Sequence, residues 1–164
     1  MKRFLLLFAL ASFSFSYAQT EDDRTVYYFI RHAEKATVKS ENPHLSGAGL
    51  ERVEKWKTYF ENKSLDAVFS TNYHRTMETA TPIAEIQNLE VRNYKAERLN
   101  VKDLVKKPKG KRILIVGHSN TIPMQVNALI QDDVYKDMDE SIYDRLYIVT
   151  FQNGNVSHKV TEIN

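Results

Sequence analysis

The chain of 164 residues contains no cysteine, which excludes a disulfide framework, a zinc site built on thiolates and a thiol nucleophile. It also lacks an excess of one charge, because 23 Lys and Arg residues stand against 21 Asp and Glu residues. The net charge of +2 forms no basic stripe, which argues against nucleic acid as a partner. With 42% hydrophobic and 27% charged residues, the composition predicts one folded domain.

No apolar run is long enough to span a membrane. The longest, Phe4 to Phe15, has roughly a dozen residues, whereas about 20 are needed to cross the hydrocarbon layer. Lys2 and Arg3 precede this run, and the small residues Ser16 and Ala18 follow it. This pattern is typical of a signal peptide cleaved after Ala18.

We therefore expect residues 1–18 to be a signal peptide and residues 19–164 to form the mature domain. The mature protein would be periplasmic or secreted after cleavage near Ala18. Because no cysteine follows the apolar run, a lipid anchor of the bacterial lipoprotein type is excluded. The oligomeric state is not readable from the sequence.

The rest of the sequence alternates between strand and helix patterns. Short β-branched and aromatic runs predict strands buried on both faces, while apolar residues at steps of three and four predict helices after Ser46, from Tyr73 and after Gly117. The predicted strands are Thr25–Ile30, Asp66–Ser70, Glu90–Tyr94, Arg112–Val116, Arg145–Phe151 and Val156–Val160, the last two forming a hairpin. The order β-α-β-α-β-β-α-β-β predicts a three-layer α/β/α sandwich around a mostly parallel sheet.

Residues that could bind a ligand or react with it follow three of these strands. Arg31 to Glu34 follow the first strand, Ser70 to Arg75 the second, and Gly117 to Asn120 the strand before the last helix. Ligands of open α/β sheets bind at the carboxyl ends of the strands, so two arginines and two histidines are expected to converge there. Two arginine forks suit a dianionic oxyanion such as phosphate, and a neutral imidazole is a nucleophile.

Four separated motifs resemble those of the histidine phosphatase superfamily, which has the phosphoglycerate-mutase-like fold. They are Arg31 to Glu34, Leu45 to Gly49, Ser70 to Ala80 and Gly117 to Thr121, and the resemblance covers roughly residues 25 to 151. The sequence looks like a small exported bacterial phosphatase of this superfamily. It departs from the common pattern at Ala33, where the family usually has glycine, and this change is tolerable if the backbone there has no positive φ.

The resemblance implies a role for each matching residue. His32 matches the nucleophile, Arg31 and Arg75 match the arginines that hold phosphate oxygens, and His118 matches the second histidine, which stabilises charge in the transition state. Asn120 adds a phosphate contact or caps the following helix. No metal or other cofactor is implied, since the arginines take the place of magnesium.

The proton donor for the leaving group is the least defined residue. The family usually supplies an acidic residue after the third strand, and Glu97 fits this position, 22 residues beyond Arg75. Asp103 is the competitor, and some short family members have no clear donor. A donor is needed because an alkoxide is a poor leaving group.

Simpler interpretations exist for several of these residues. Arg31 could form a surface ion pair with Glu34, and Arg75 could neutralise Glu78 three residues along its own helix. The two histidines of the motifs could be structural. His44 and His74 are interpreted as solvated surface residues, although His44 could also touch the substrate.

The sequence thus predicts an exported phosphomonoesterase, a metal-independent histidine acid phosphatase, that hydrolyses a small phosphorylated metabolite or an envelope sugar phosphate through phosphohistidine at His32. The alternatives are a non-catalytic phosphate-binding or interaction protein on the same fold and a phosphoglycerate-mutase-type phosphotransferase. Substrate specificity is expected from three polar segments around the cleft, Thr37 to His44, Glu97 to Lys109 and Gln131 to Ser141.

Overall fold

The computed structural model describes residues 23–96 and 109–164. Within them the order of elements is the predicted one. The elements are β1 (Thr25–Arg31), α1 (Gly47–Phe60), β2 (Ala67–Ser70), α2 (His74–Glu85), β3 (Val91–Asn93), β4 (Arg112–Gly117), α3 (Thr121–Ile130), β5 (Arg145–Gln152) and β6 (Asn155–Glu162). The predicted signal peptide and the residues Glu97 and Asp103 lie outside the described residues.

The strands form one six-stranded sheet in the order β3-β2-β4-β1-β5-β6. β1 pairs in parallel with β4, and β2 pairs in parallel with both β4 and β3. β5 runs antiparallel to β1 and to β6, so the carboxyl-terminal hairpin extends the parallel part of the sheet. Since β2, β4 and β1 are neighbours, their carboxyl ends lie side by side.

Helices cover both faces of the sheet because alternate residues of each buried strand point to opposite faces. Tyr28 and Ile30 of β1 belong to the core packed under α1 and α2, which includes the buried Trp56. Tyr27 and Phe29 belong to the opposite core under α3. The predicted three-layer α/β/α sandwich is therefore confirmed.

The start of α1 is fixed against the segment that follows β1. Ser46 caps the helix by accepting a hydrogen bond from the Gly49 amide at 3.1 Å, and its own amide donates to the Glu34 carbonyl at 2.8 Å. A Cβ atom on Gly49 would lie 2.2 Å from the same carbonyl oxygen. Glycine is therefore required at this position for close approach of the two backbones, and the approach holds the Arg31 to Glu34 segment in place.

The described residues include no helix that is both long enough and apolar enough to cross a membrane.

Candidate active site

An open cleft of about 820 Å³ lies at the carboxyl ends of β1, β2 and β4. All five described residues that the sequence assigns to the site line it, and residues from the loops after β3 and before β5 complete it. The lining consists of Arg31, His32, Lys35, Thr71, Asn72, Tyr73, Arg75, Tyr94, Lys95, Ala96, His118, Ser119, Asn120, Thr121, Asp137, Met138 and Glu140. The fold brings the two arginines and the two histidines together, as predicted.

His32 stands immediately after β1, with only 4% of its surface exposed. Its Nδ1 lies 2.7 Å from the Ala33 carbonyl oxygen, so the Nδ1 proton is donated there and the lone pair resides on Nε2. The Ala33 amide in turn donates to Thr79 Oγ1 on α2 at 2.9 Å. Ala33 is not among the residues with positive φ, which explains why alanine is accommodated at this position of the motif.

The imidazole of His32 is held neutral. Burial lowers its pKa from the ordinary 6.5 to about 3, and the charges of Arg31, His118 and Arg75 act in the same direction, whereas the bond to the Ala33 carbonyl opposes them. A neutral imidazole whose Nε2 carries a lone pair is the nucleophilic form. The His32 imidazole is therefore neutral at neutral pH.

Arg75, in the first turn of α2, contacts His32 directly. Its Nε donates to His32 Nε2 at 3.2 Å, and its guanidinium lies 4.6 Å from the centre of the Tyr73 ring. Burial lowers the pKa of Arg75, although arginine stays charged at any working pH. Its Nη1 is buried without a hydrogen-bond partner among the described residues.

Arg31 is almost fully buried, with 1% of its surface exposed, and most of its donors hold the segment before β5. Nη1 donates to the carbonyls of Asp139, Glu140 and Ile142 at 3.2, 3.0 and 3.0 Å. The Tyr143 ring lies 4.1 Å from the guanidinium carbon. Only Nε is buried without a partner among the described residues, so Arg31 both positions this segment and has one donor left for a ligand.

Glu140 is a cleft residue that the sequence did not single out. Its carboxylate accepts from Arg31 Nη2 at 2.6 Å and from the Ser119 hydroxyl at 2.6 Å. The Ser119 bond lowers the pKa of Glu140 most, burial partly opposes it, and Arg31 lowers the pKa further. No local pattern marks this glutamate, because its contact with Arg31 joins residues 109 positions apart.

His118 completes the site from the end of β4. Its ring lies 5.5 Å from that of His32 between centroids, and its Nε2 is 3.0 Å from Thr71 Oγ1. Asn120 takes the N-cap position of α3 without a capping hydrogen bond from its side chain, and it is exposed in the cleft. The geometry therefore gives no support to the capping role and leaves a ligand contact as the prediction for Asn120.

The simpler interpretations of the two arginines are wrong. Glu34 pairs with Arg52 of α1 at 2.8 Å rather than with Arg31. Glu78 contacts His44 and the Leu45 amide, while the Arg75 guanidinium is directed to His32. Neither arginine forms the ion pair of the simpler interpretation, and both line the cleft.

Of the three segments expected to border the cleft, the described structure brings one clearly into it. Asp137, Met138 and Glu140, from the segment Gln131 to Ser141, line the cleft. No residue of Thr37 to His44 does so, although Lys35 just before it does. The segment from Glu97 onwards lies outside the described residues up to residue 108.

Unsatisfied buried donors are costly unless a ligand completes them. Arg31 Nε and Arg75 Nη1 are two such donors, and both arginines line the cleft together with the neutral His32. The fold and the site together define an α/β protein with a cleft lined by arginine and histidine at the carboxyl edge of its sheet.

Known proteins resemble this chain in part of its sequence and in its fold. The family model described as histidine phosphatase superfamily (branch 1) matches residues 27–100. This match covers 74 of the 164 residues, and the fold of the described residues is shared with a solved protein histidine phosphatase. No protein with a curated description matches the sequence.

Solved structures of phosphatases share the fold at low sequence identity. A phosphoserine phosphatase from Entamoeba histolytica, in complex with 3-phosphoglyceric acid, is 16% identical, with a TM-score of 0.65 over 82% of this chain and 94% of the other. The protein histidine phosphatase SixA, complexed with tungstate, is 12% identical, with a TM-score of 0.65 over 84% and 96%. A mycobacterial glucosyl-3-phosphoglycerate phosphatase is 10% identical, with a TM-score of 0.63 over 86% and 99%.

Proposed function

We propose that the protein is a phosphomonoesterase that works through a phosphohistidine intermediate at His32. The observation that carries this proposal is the state of His32, a buried neutral imidazole whose Nδ1 is fixed by the Ala33 carbonyl and whose Nε2 lies in the cleft beside Arg75. An arginine-lined cleft binds dianionic phosphate, and the nucleophile stands within it.

The reaction has two displacements at phosphorus. In the first, the Nε2 lone pair of His32 forms a bond to phosphorus, and the bond from phosphorus to the ester oxygen breaks, so that the alcohol leaves with a proton from an acid. In the second, a water oxygen attacks phosphorus and the bond to Nε2 breaks. One water proton goes to the base formed in the first step, and phosphate leaves with the restored imidazole behind it.

The arginines supply charge stabilisation in both steps. Arg75 Nε now donates to His32 Nε2, so a phosphoryl group that binds to Nε2 takes over this donor through one of its oxygens. The orphaned Nη1 of Arg75 and Nε of Arg31 add two further donors. Fixed donors that face developing negative charge are the largest contribution in many enzymes.

Glu97 is proposed as the acid that protonates the leaving alcohol, with Asp103 as the competitor. Neither is among the described residues, so the proposal depends on the resemblance to the superfamily. Glu140 is not chosen, because Ser119 and Arg31 hold the pKa of its carboxyl below the ordinary range, and a carboxylate that is ionised at neutral pH is a poor acid.

A small phosphorylated metabolite or envelope sugar phosphate is the proposed substrate. A cleft of about 820 Å³ is large enough for a small molecule, and Lys35 and Lys95 on its wall suit a substrate with further negative charge. The sequence pattern of residues 1–18 supports export, so the proposed location is the periplasm or the medium.

The test is hydrolysis of para-nitrophenyl phosphate by the purified protein in excess chelator. We expect activity that resists the chelator and disappears in His32→Ala, with Glu54→Gln on the solvent side of α1 as the matched control. On glycerol phosphate, whose alkoxide leaving group needs a proton, activity should also drop strongly in Glu97→Gln. Hydrolysis of glycerol phosphate that is lost in His32→Ala and unchanged in Glu97→Gln would move the donor role to Asp103.

The intermediate can be trapped with a labelled phosphate donor. A phosphoramidate survives alkali and decays in acid, so label with this behaviour supports His32. Label that survives acid would refute the assignment. Phosphate binding without turnover of para-nitrophenyl phosphate or of sugar and nucleotide phosphates would favour the non-catalytic alternative.

A further inference from the structure

A second cluster of chemically active side chains lies outside the cleft, where the loop before α1 meets the first turns of α2. It consists of His44, His74 and Glu78, whose potential ligand atoms all lie within 4.8 Å of one another. None of the three lines the catalytic cleft. All remain at least partly open to solvent, so an ion could reach them directly.

The helix itself brings two members of this cluster together. His74 and Glu78 are four residues apart in α2, and side chains at i and i+4 lie on the same face of a helix. His44 comes from the loop across from this face, and its ring stacks on that of His74 at 4.2 Å between centroids. Two histidines from separate elements therefore present their nitrogens beside one carboxylate.

Further hydrogen bonds anchor the Glu78 carboxylate and the backbone of His74. Glu78 Oε2 accepts from the Leu45 amide at 2.8 Å, while Oε1 contacts His44 Nδ1. The His74 amide donates to Asn42 Oδ1 at 2.9 Å. Bonds to groups behind the ligands fix the ligand orientation in metal sites, and the Leu45 amide has that position relative to Glu78.

The electrostatics of the cluster favour a cation. Glu78 contributes a carboxylate to the cluster, and a carboxylate beside two imidazoles attracts a cation. Arg75, which is adjacent in sequence to His74, directs its guanidinium to His32 and the Tyr73 ring. The positive charge of Arg75 therefore faces the cleft and not the cluster of His44, His74 and Glu78.

We propose that His44, His74 and Glu78 form a site for a divalent first-row transition metal ion, with Zn²⁺ as the best fit. Two imidazoles and one carboxylate are the ligands that Zn²⁺ accepts at about 2.0–2.2 Å, whereas Mg²⁺ and Ca²⁺ prefer oxygen ligands throughout. Binding requires His44 to exchange its bond with Glu78 for the metal, and the three ligand atoms to draw closer. Water would complete the coordination.

The ion would link the loop that carries His44 to α2 through His74, the residue that directly precedes Arg75. Its role is therefore structural, and the site does not depend on the proposed phosphatase reaction. Binding to the folded state alone would also raise the thermal stability of the protein.

The experiment uses the purified protein without an affinity tag, after removal of metals with a chelator. Titration with ZnCl₂ is followed by calorimetry, titration with CoCl₂ by the visible absorption of Co²⁺, and thermal unfolding is measured with and without Zn²⁺. We expect one ion per chain, a rise in Tm with Zn²⁺, and at least roughly a tenfold loss of affinity in His44→Gln, His74→Gln and Glu78→Gln.

The control is His158→Gln, because His158 is an exposed histidine in the β5–β6 hairpin, and it should bind Zn²⁺ like the parent. Glu78→Gln keeps an oxygen that can accept from the Leu45 amide, so the fold is retained in at least this variant. No saturable binding of Zn²⁺ or Co²⁺, binding unchanged in the Glu78→Gln variant, or equal affinity for Mg²⁺ would each overturn the proposal.

Discussion

Acidification is expected to destabilise the protein through His32. In the unfolded chain this imidazole has its ordinary pKa of 6.5, whereas burial lowers the pKa to about 3 in the folded protein. Between these two values the unfolded state binds a proton that the folded state excludes. Stability is therefore intact above pH 6.5 and falls as the pH decreases from 6.5 towards 3.

The size of the effect follows from the two pKa values. Linkage gives a loss of about 2 kcal/mol between pH 7 and pH 5 for a histidine shifted from 6.5 to about 3. This is a large part of the 5–15 kcal/mol by which folded proteins are typically stable. Other groups also titrate in this range, so the contribution of His32 must be isolated by difference.

Urea unfolding at pH 7 and pH 5 measures the effect, with the fluorescence of Trp56, the single and fully buried tryptophan, as the probe. The parent should lose about 2 kcal/mol more on acidification than His32→Gln, which cannot take up the proton. The control His158→Gln should lose as much as the parent. Equal losses in the parent and in His32→Gln would refute the argument that His32 is held neutral by burial.

Three further predictions concern binding and packing. Arg75→Ala should lower kcat/KM for a phosphate ester by about 10²–10³-fold, because it removes donors beside the nucleophile, while unchanged steady-state kinetics would contradict that role. Gly49→Ala should destabilise the protein by about 3 kcal/mol in urea unfolding, because its Cβ would meet the Glu34 carbonyl, whereas Gly47→Ala, which meets open space, should be nearly neutral. Glu140→Gln should lower KM, because it removes a negative charge that competes with substrate for Arg31, and a higher KM would show instead that Glu140 orients the arginine.

Much of the fold could be predicted because local patterns and tertiary structure agree. The strand from Thr25 is buried on both faces, and this demands the continuous β-branched and aromatic run seen in the sequence. The helix after Ser46 has the expected cap, which accepts from the Gly49 amide. Arg31, His32, Arg75 and His118 could be placed together, since parallel strands deliver the residues that follow them to one edge.

Other parts of the site could not be predicted, because they depend on contacts between residues far apart in the sequence. The bond from Arg31 to Glu140 and the three carbonyls that fix Arg31 involve a segment more than 100 residues away. The sequence leaves His44 as a solvated surface residue and offers Glu78 as a partner of Arg75. The two meet only because the loop before α1 packs against α2.

The sequence by itself determined the elements, their order and the groups available for chemistry, because periodicity, caps and strand-end residues are local properties of the chain. The tertiary structure alone decided the state of those groups. Burial and partners from distant segments determine whether His32 is neutral, which donors of Arg31 remain for a ligand and which carboxylate faces the cleft. Burial exists only once the layers have packed.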